Sequence, residues 1–424
     1  MASRREPSAR STTVRNLPDH ILRRVFLCLA SSVDLVRAAS ACKKWRRVVA
    51  DPGFLVRFRS LHAGLVAGHY HTVDPFYDES VAPSRSRRPV FLPSPTLTVD
   101  RRRFSLDFLP ETNVWKWKIA DSRGSLLLLA SEEWTRWKPP TCFYPDLVVC
   151  EPLTRRHQFI LLPERLKIWS FGFFLLDGDA SGGRGVIGMS SFRVVAALYK
   201  HSDEPMAAVF TSGHDGGWRL PAGKSASRIS LDMDPDDMSF LGRANGSLYW
   251  GTVPGLLALD EATLEFSQLE LPDEIMDFYD RRGFRVLGGE DGALRVVLVE
   301  DNELKVFRRV QDSDEWLVEK TVRLLEATRR LPRRKAHYFR NNEAMIIDAD
   351  TTNVLMTPEE ETWLFSVELE TMEAERKKGR NRFPGPAYPC ELPWPPVLEA
   401  CPARVRRRRS CRGPDPTFSS YDYN

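Results

Sequence analysis

Two kinds of hydrophobic patterning divide this chain. Near the N-terminus, Leu17, Ile21, Leu22, Val25, Phe26 and Leu29 recur at the spacing of one helix face, with Arg23 and Arg24 off the stripe. Pro18 suits the first turn of that helix, where its missing N–H costs nothing. Ser31 and Ser32 end the helix and offer an N-cap to the next, with Asp34 in its first turn. Leu35, Val36, Ala38 and Ala39 give a short second helix. Trp45, Val48 and Val49 mark a third, whose other face is Lys43, Lys44, Arg46 and Arg47. Asp51-Pro52 stops it, and Phe54, Leu55 and Phe58 begin a fourth. About fifty residues of helix cannot bury all of these side chains alone. Part of the Leu17, Ile21, Leu22 stripe therefore reads as a patch for a partner helix. Periodicity alone favours a plainer reading, a helical subdomain packed on the rest of the chain.

From about residue 100 the texture changes from helical to alternating. Phe104, Leu106 and Phe108 alternate with polar residues, as do Trp115, Trp117 and Ile119. Short strands are predicted at 125–130, 147–150, 158–162, 193–198, 207–210, 247–249, 255–259, 294–299 and 304–307. Gly, Asp, Asn, Pro and Ser fill the gaps between them. A weak repeat runs through this half. Gly-Ser-Leu recurs at Gly124 and Gly246, and Gly-Ala-Leu appears at Gly292. Thr154 and Thr263 each precede a Leu-Pro at the same offset, at Pro163 and Pro272. Gly246 and Gly292 lie 46 residues apart, the length of one four-stranded propeller blade. The repeat reads as strand, Gly turn, strand, Asp-x-x-Thr turn, strand and Pro-terminated exit. Each such blade leaves an apolar face that only its neighbours cover, and a ring leaves few open edges. The fold class expected is α plus all-β, a small N-terminal helical module followed by a β-propeller-like domain of about six blades. A β-sandwich with insertions is the alternative architecture.

The N-terminal motifs, taken in order, resemble the F-box, the adaptor-docking module of ubiquitin ligases. The elements are Leu17-Pro18, Ile21-Leu22, Asp34-Leu35-Val36-Arg37, Cys42-Lys43-Lys44-Trp45-Arg46 and Asp51-Pro52-Gly53-Phe54. The resemblance implies binding to a Skp-type adaptor, which bridges to a cullin scaffold. It implies that Leu17, Pro18, Ile21, Leu22, Leu35 and Trp45 form or support the docking surface. The β half resembles the kelch-related, propeller-like domains that follow the F-box in plants, grasses especially. The matching phrases begin at Val148, Phe192, Asn245 and Leu364. In such families this domain binds a target protein through loops that differ between members. No target-binding residue carries over.

The organisation expected is a disordered basic tail over 1–13, the helical module over 14–60, a connector over 61–95 and the propeller-like domain over 96–375. A Pro-rich strap over 376–399 follows, packed through Tyr388, Leu392 and Trp394, and then a disordered Arg-rich tail over 400–424. Hydrophobic residues make up 42% of the 424, so most of the chain should fold. A net charge of +4 is too small to argue for nucleic acid. No long apolar run predicts a membrane span, and Met1 to Arg10 lacks the apolar core of a secretory signal. Seven scattered cysteines fit reduced thiols in the cytosol or nucleus. Arg404, Arg406 to Arg409 and Arg412 could serve as a nuclear address, against a plain solvated tail.

Candidate chemistry is thin. Gly183-Arg184-Gly185-Val186-Ile187-Gly188 fits a dinucleotide-binding pattern, with Glu204 about twenty residues on. Such a site needs a strand before it and a helix after it, and the following 192–199 reads as a strand instead. His69-Tyr70-His71 with Asp74 and Asp78 reads as a solvated connector rather than a metal site, because no cysteine lies near. Cys390, Cys401 and Cys411 lack the paired spacing of a zinc site. Asp236-Asp237 and Glu359 to Glu361 read as solvated turns. No nucleophile elbow or Walker-type loop is present in the sequence. The expectation is a non-catalytic substrate receptor of a Skp–cullin–F-box ubiquitin ligase, without cofactor or metal, in the cytoplasm or nucleus. The alternative is a propeller-fold enzyme or small-ligand binder whose helical head is purely structural.

Overall fold

The computed structural model describes residues 17–62, 64–72, 89–94, 97, 99–109, 117–131, 147–163, 166, 169–177, 187–199, 204–213, 217–220, 229, 238–252, 255–276, 282–289, 291–310, 313, 315–339, 344–358, 363–377 and 386–395. The chain splits into two compact units, one holding the N-terminal helices and the other spanning Gly64–Trp394.

Four helices build the first unit: α1 (Asp19–Leu27), α2 (Ser32–Ala41), α3 (Lys43–Val49) and α4 (Pro52–Leu61). Each of the last three is started by a side chain that accepts an otherwise orphaned N–H. The Ser31 hydroxyl accepts from the Asp34 N–H, the Cys42 sulfur from Trp45 and the Asp51 carboxylate from Phe54. The Phe54 N–H, with Arg23 beside it, holds the Asp51 carboxyl below its usual range. Pro52 occupies the first turn of α4, so the predicted stop of α3 is also the start of α4. Leu22, Phe26, Leu35, Ala39, Val48, Val49, Phe54 and Phe58 are buried. Phe26 meets Trp45 and Phe54 edge-on, at 5.2 and 6.5 Å between ring centres.

The second unit is a ring of six sheets, five of four strands and one of three. The three-stranded blade combines β1 (Val66–His71) and β2 (Val90–Pro93) with the last strand, β23 (Ala387–Glu391), in the order β2-β1-β23. Blade 2 holds β3 (Trp117–Arg123), β4 (Leu126–Ser131), β5 (Leu147–Glu151) and β6 (Arg156–Ile160). Blade 3 holds β7 (Trp169–Leu176), β8 (Arg193–Tyr199), β9 (Pro205–Thr211) and β10 (Gly217–Arg219). Blade 4 holds β11 (Ser239–Ala244), β12 (Ser247–Gly251), β13 (Gly255–Asp260) and β14 (Phe266–Glu270). Blade 5 holds β15 (Phe284–Gly288), β16 (Leu294–Glu300), β17 (Glu303–Arg309) and β18 (Trp316–Arg323). Blade 6 holds β19 (Ala344–Ala349), β20 (Asn353–Pro358), β21 (Phe365–Glu368) and β22 (Ala374–Arg376). Consecutive strands within these five blades pair antiparallel. First strands pack on first strands, β3 on β7, β11 on β15 and β15 on β19, with β23 on β3. These strands therefore line the ring axis.

The repeat seen in the sequence is turn chemistry. Gly124, Gly246 and Gly292 all sit at positive φ between the first and second strands of their blades. At Asn245-Gly246 both residues are left-handed, the two-residue hairpin that Asn-Gly favours. Thr154 and Thr263 sit between the third and fourth strands, each followed by a left-handed residue, Arg155 and Leu264. Glu368-x-x-Thr371, followed by left-handed Met372, is a third copy in blade 6. A further turn separates the Gly turn from the Thr turn, so the unit has four strands where the sequence reading described three.

Middle strands are apolar on both faces because both faces are covered. In β4, Leu126 and Leu128 point to the blade 2–3 interface, while Leu127 and Leu129 join Tyr70, Phe91 and Cys390 against the three-stranded blade. Trp250 is the largest fully buried side chain among the described residues. Its ring meets Phe171 and Phe174 edge-on, and its indole N–H donates to the Phe171 carbonyl at 3.2 Å.

Three expectations are corrected. The 61–95 segment is not only a connector, since β1 and β2 belong to the ring. The 376–399 strap carries β23, which pairs Cys390 with Gly68 and Tyr388 with Tyr70. The ring thus runs beyond 96–375 at both ends, because a sheet that closes on itself needs strands from both ends of the domain. The alternation at Phe104, Leu106 and Phe108 is not a strand. Arg101–Phe104 is a 3-10 turn, fixed where the Tyr70 hydroxyl donates to the Phe104 carbonyl at 2.6 Å.

Candidate docking and target-binding surfaces

In the helical unit the apolar stripe of α1 divides. Leu22 and Phe26 point into the core, 1% and 3% exposed. Ile21 is half-buried, Pro18 exposed and Val25 49% exposed. Ile21 and Val25 are one turn apart, so with Pro18 they make an outward apolar line. Leu17 stands half-buried beside it, its carbonyl accepting from Lys44 Nζ of α3. Arg47 and Lys44 reach Asp19 at 3.4 and 3.6 Å, tying α3 to the start of α1. Of the six residues singled out, Leu22 and Leu35 are core, because each lies on the face its helix turns inward. Trp45 is half-buried, its indole N–H without a partner among the described residues. Val25 was legible as Ile21 plus one turn and joins the outward group.

A cluster of ion pairs sits where β3, β7 and β11 end. Arg123 Nη2 pairs with Asp177 Oδ2 at 2.8 Å, and Arg123 Nη1 with Glu261 Oε2 at 3.0 Å. Arg243 Nη2 pairs with Asp121 Oδ2 at 3.1 Å, and Arg243 Nε with Glu261 Oε1 at 2.6 Å. The Leu175 N–H donates to Asp121 Oδ2 at 2.8 Å, and the Leu175 carbonyl accepts from Arg243. Burial lifts the Asp121 carboxyl, with Arg243 opposing it. Burial also opposes the Arg123 charge, but Glu261 and Asp177 outweigh it and raise that pKa. Three carboxylates and two guanidinium groups satisfy one another here. The cluster joins blades 2, 3 and 4 through these ion pairs.

The other chemical candidates lie elsewhere. His69 and His71 sit in β1, their rings 6.5 Å apart, and burial lowers the pKa of both, that of His71 to about 4. Their companions Asp74 and Asp78 fall outside the described residues, as do residues 183–186, Asp236-Asp237, Glu359 to Glu361, Cys401, Cys411 and the 404–412 arginines. Ile187 and Gly188 lead into β8, a strand where a dinucleotide site would need a helix. Burial pushes the Cys390 thiol up to about 12 and the Cys150 thiol higher still. Among the described residues no group of three or more His, Cys, Asp or Glu side chains could hold a metal ion. None of their helices is long and apolar enough to cross a membrane.

Comparison with known proteins places these two units. An F-box-like family model matches residues 14–62. A second model, described as F-box protein AT5G49610-like, beta-propeller, matches residues 140–398. No curated protein matches the chain. Among solved structures, YCF48 from Cyanidioschyzon merolae is 7% identical at TM-score 0.37, over 74% of this chain and 86% of that one. TolB from Acinetobacter baumannii is 9% identical at TM-score 0.33, over 82% and 72%. A puromycin hydrolase is 12% identical at TM-score 0.31, over 62% of this chain; the match spans only 39% of that enzyme. An F-box implies a Skp-type adaptor as partner. With the propeller model matched over more than half its length, this chain belongs to the AT5G49610-like plant F-box proteins, which join a helical F-box region to a six-bladed β-propeller.

Proposed function

We propose that this protein is a substrate-recognition subunit of a Skp–cullin–F-box ubiquitin ligase. The F-box holds the adaptor, the propeller holds a target protein, and a separate enzyme supplies ubiquitin. The contribution is positional: the chain raises the local concentration of target lysines near that enzyme. The observation that carries the reading is the pairing of the two matched modules in one chain, F-box-like at 14–62 and propeller at 140–398. Leu17, Pro18, Ile21 and Val25 are the proposed adaptor contacts, with Leu22, Leu35 and Trp45 supporting them from within the helical unit. The role asks nothing catalytic of the chain. Its proposed setting is the cytoplasm or nucleus, where the cullin machinery and reduced thiols are found.

Co-expression with a plant Skp-type adaptor, then pull-down and gel filtration, tests this. A one-to-one complex is expected. Pro18→Asp with Val25→Asp, both at exposed positions, should abolish it while changing the melting of the chain by less than about 0.5 kcal/mol, the usual limit for surface positions. A well-folded chain that never captures the adaptor would refute the reading.

A further inference from the structure

We propose that the link between blades 5 and 6 is a docking surface for an Asp/Glu-rich segment of the target protein. The inference rests on the reading of the propeller as target receptor. After β18 the chain passes through Arg329, Arg330, Arg333, Arg334 and Lys335 within seven residues. All but the half-buried Arg334 are exposed. Among the described residues no carboxylate pairs with Arg329, Arg330, Arg333 or Arg334. The neighbouring ion pairs belong to others, Arg323 to Glu303 and Glu326, and Lys377 to Glu375. Burial, together with the charge of Arg333, lowers the Arg376 pKa. Exposed guanidinium groups without a carboxylate partner among the described residues concentrate anions at the surface.

Three of the cations here are mounted rather than loose. The Arg334 guanidinium lies 5.7 Å from the Phe339 ring centre, the Lys335 ammonium 5.5 Å from Tyr338 and the Arg376 guanidinium 5.3 Å from Trp363. Beneath them the rings are buried and in contact. Tyr338 and Trp363 are 5.5 Å apart, Trp363 and Phe365 5.3 Å, and Phe339 and Phe365 5.8 Å. Polar bonds pin the floor. Trp363 Nε1 donates to the Pro332 carbonyl at 3.2 Å, and Arg334 Nε to Thr328 Oγ1 at 3.1 Å. Arg333 itself is held left-handed, at φ 61°, a conformation that non-glycine residues keep only when their surroundings fix it.

The arrangement selects the occupant. The Arg334, Lys335 and Arg376 heads rest over separate rings, with exposed Arg329, Arg330 and Arg333 beside the first two in the chain, a spread that suits a row of single carboxylates better than one phosphate. Guanidinium forks bind carboxylates in pairs of parallel hydrogen bonds. The rings lie under the cations, so bases have no open platform on which to stack.

Fluorescence anisotropy with the full chain tests the proposal, using a labelled twelve-residue Asp/Glu-rich peptide at low and high salt. Binding that weakens with salt is expected. Arg329→Glu with Arg330→Glu and Arg333→Glu should weaken it by about tenfold or more. The same charge reversal at exposed Arg101, Arg102 and Arg103 should change it less than about twofold. Equal losses in the two triple variants, or no binding by the unmodified chain, would overturn the proposal. So would tighter binding of a phosphoserine peptide or a single-stranded RNA at the same arginines. Adaptor capture is a separate readout, so failure here leaves the ligase reading standing, and failure there leaves this surface measurable.

Discussion

Trp45 and Trp250 show how differently the two units are held together. Trp45 is half-buried, touches Phe26 edge-on and leaves its indole N–H without a partner among the described residues. Trp250 is fully buried, meets several aromatic rings and donates to the Phe171 carbonyl. The first is the centre of a small helical unit that keeps part of its apolar surface outward. The second belongs to a ring whose middle strands are buried between neighbouring blades. A module that keeps surface in reserve for a partner cannot also spend it on its own stability, whereas a closed ring has nothing left to complete.

The largest effect that would test this contrast lies at the ring closure. Cys390 is 1% exposed and pairs with Gly68. Cys390→Asp would bury a carboxylate beside Glu151 and Glu391, both of which already oppose charge there. The expected loss is more than about 4 kcal/mol, seen as a collapsed melting transition and rapid proteolysis of the propeller. Adaptor capture by the helical unit should survive. Loss of both together would mean that the two units are not independent.

The tryptophans give the next test. Trp250→Ala should cost about 3–5 kcal/mol, and Trp45→Ala about 1–2 kcal/mol, in the melting of their respective transitions. The reverse ranking would break the comparison.

The smallest effect is a pH dependence inside the ring. Burial, reinforced by Asp350, raises the Asp348 carboxyl to about 6. The folded state therefore binds this proton more tightly than the unfolded chain, and stability from Asp348 falls as pH rises from about 4 to about 6. His71 acts in the opposite sense. Its folded pKa of about 4 means that stability is lost as pH falls from about 6.5 toward 4. Asp348→Asn should stabilise the propeller by about 1–2 kcal/mol at pH 7.5 and by almost nothing at pH 4, measured by denaturant titration at the two values. An equal gain at both would place the benefit in packing instead of charge.

Much of this was legible in the chain. The Ser31 cap stands where the sequence offered one, because an N-cap is a local device, whereas Asp51, legible as the stop of the third helix, also caps the fourth. The Gly and Thr turns also showed, since a left-handed residue leaves a mark in the sequence. His69-Tyr70-His71 misled, because a strand rich in polar letters reads as solvent-facing until the strands beside it are known. The docking residues were half legible. A stripe on a helix does not say which side is core: Leu22 and Ile21 differ by one position, yet Leu22 is buried and Ile21 only half-buried. The arginine surface between blades 5 and 6 is not legible in the sequence, because a run of cations in a link looks like a solvated loop until the rings beneath it are placed.

By itself the sequence determined the helical head, the β character of the rest, the blade-length repeat and the ordered motifs of an F-box. These depend on contacts within a turn, a hairpin or a helix face, where neighbours in the chain are neighbours in space. Only the tertiary structure decided that β1 and β23, more than three hundred residues apart, close one ring. It also decided which half of the α1 stripe faces outward, and that separated cations and aromatic rings form one layer. Such pairings are set by which distant surfaces exclude water from each other, and no local spacing encodes that choice.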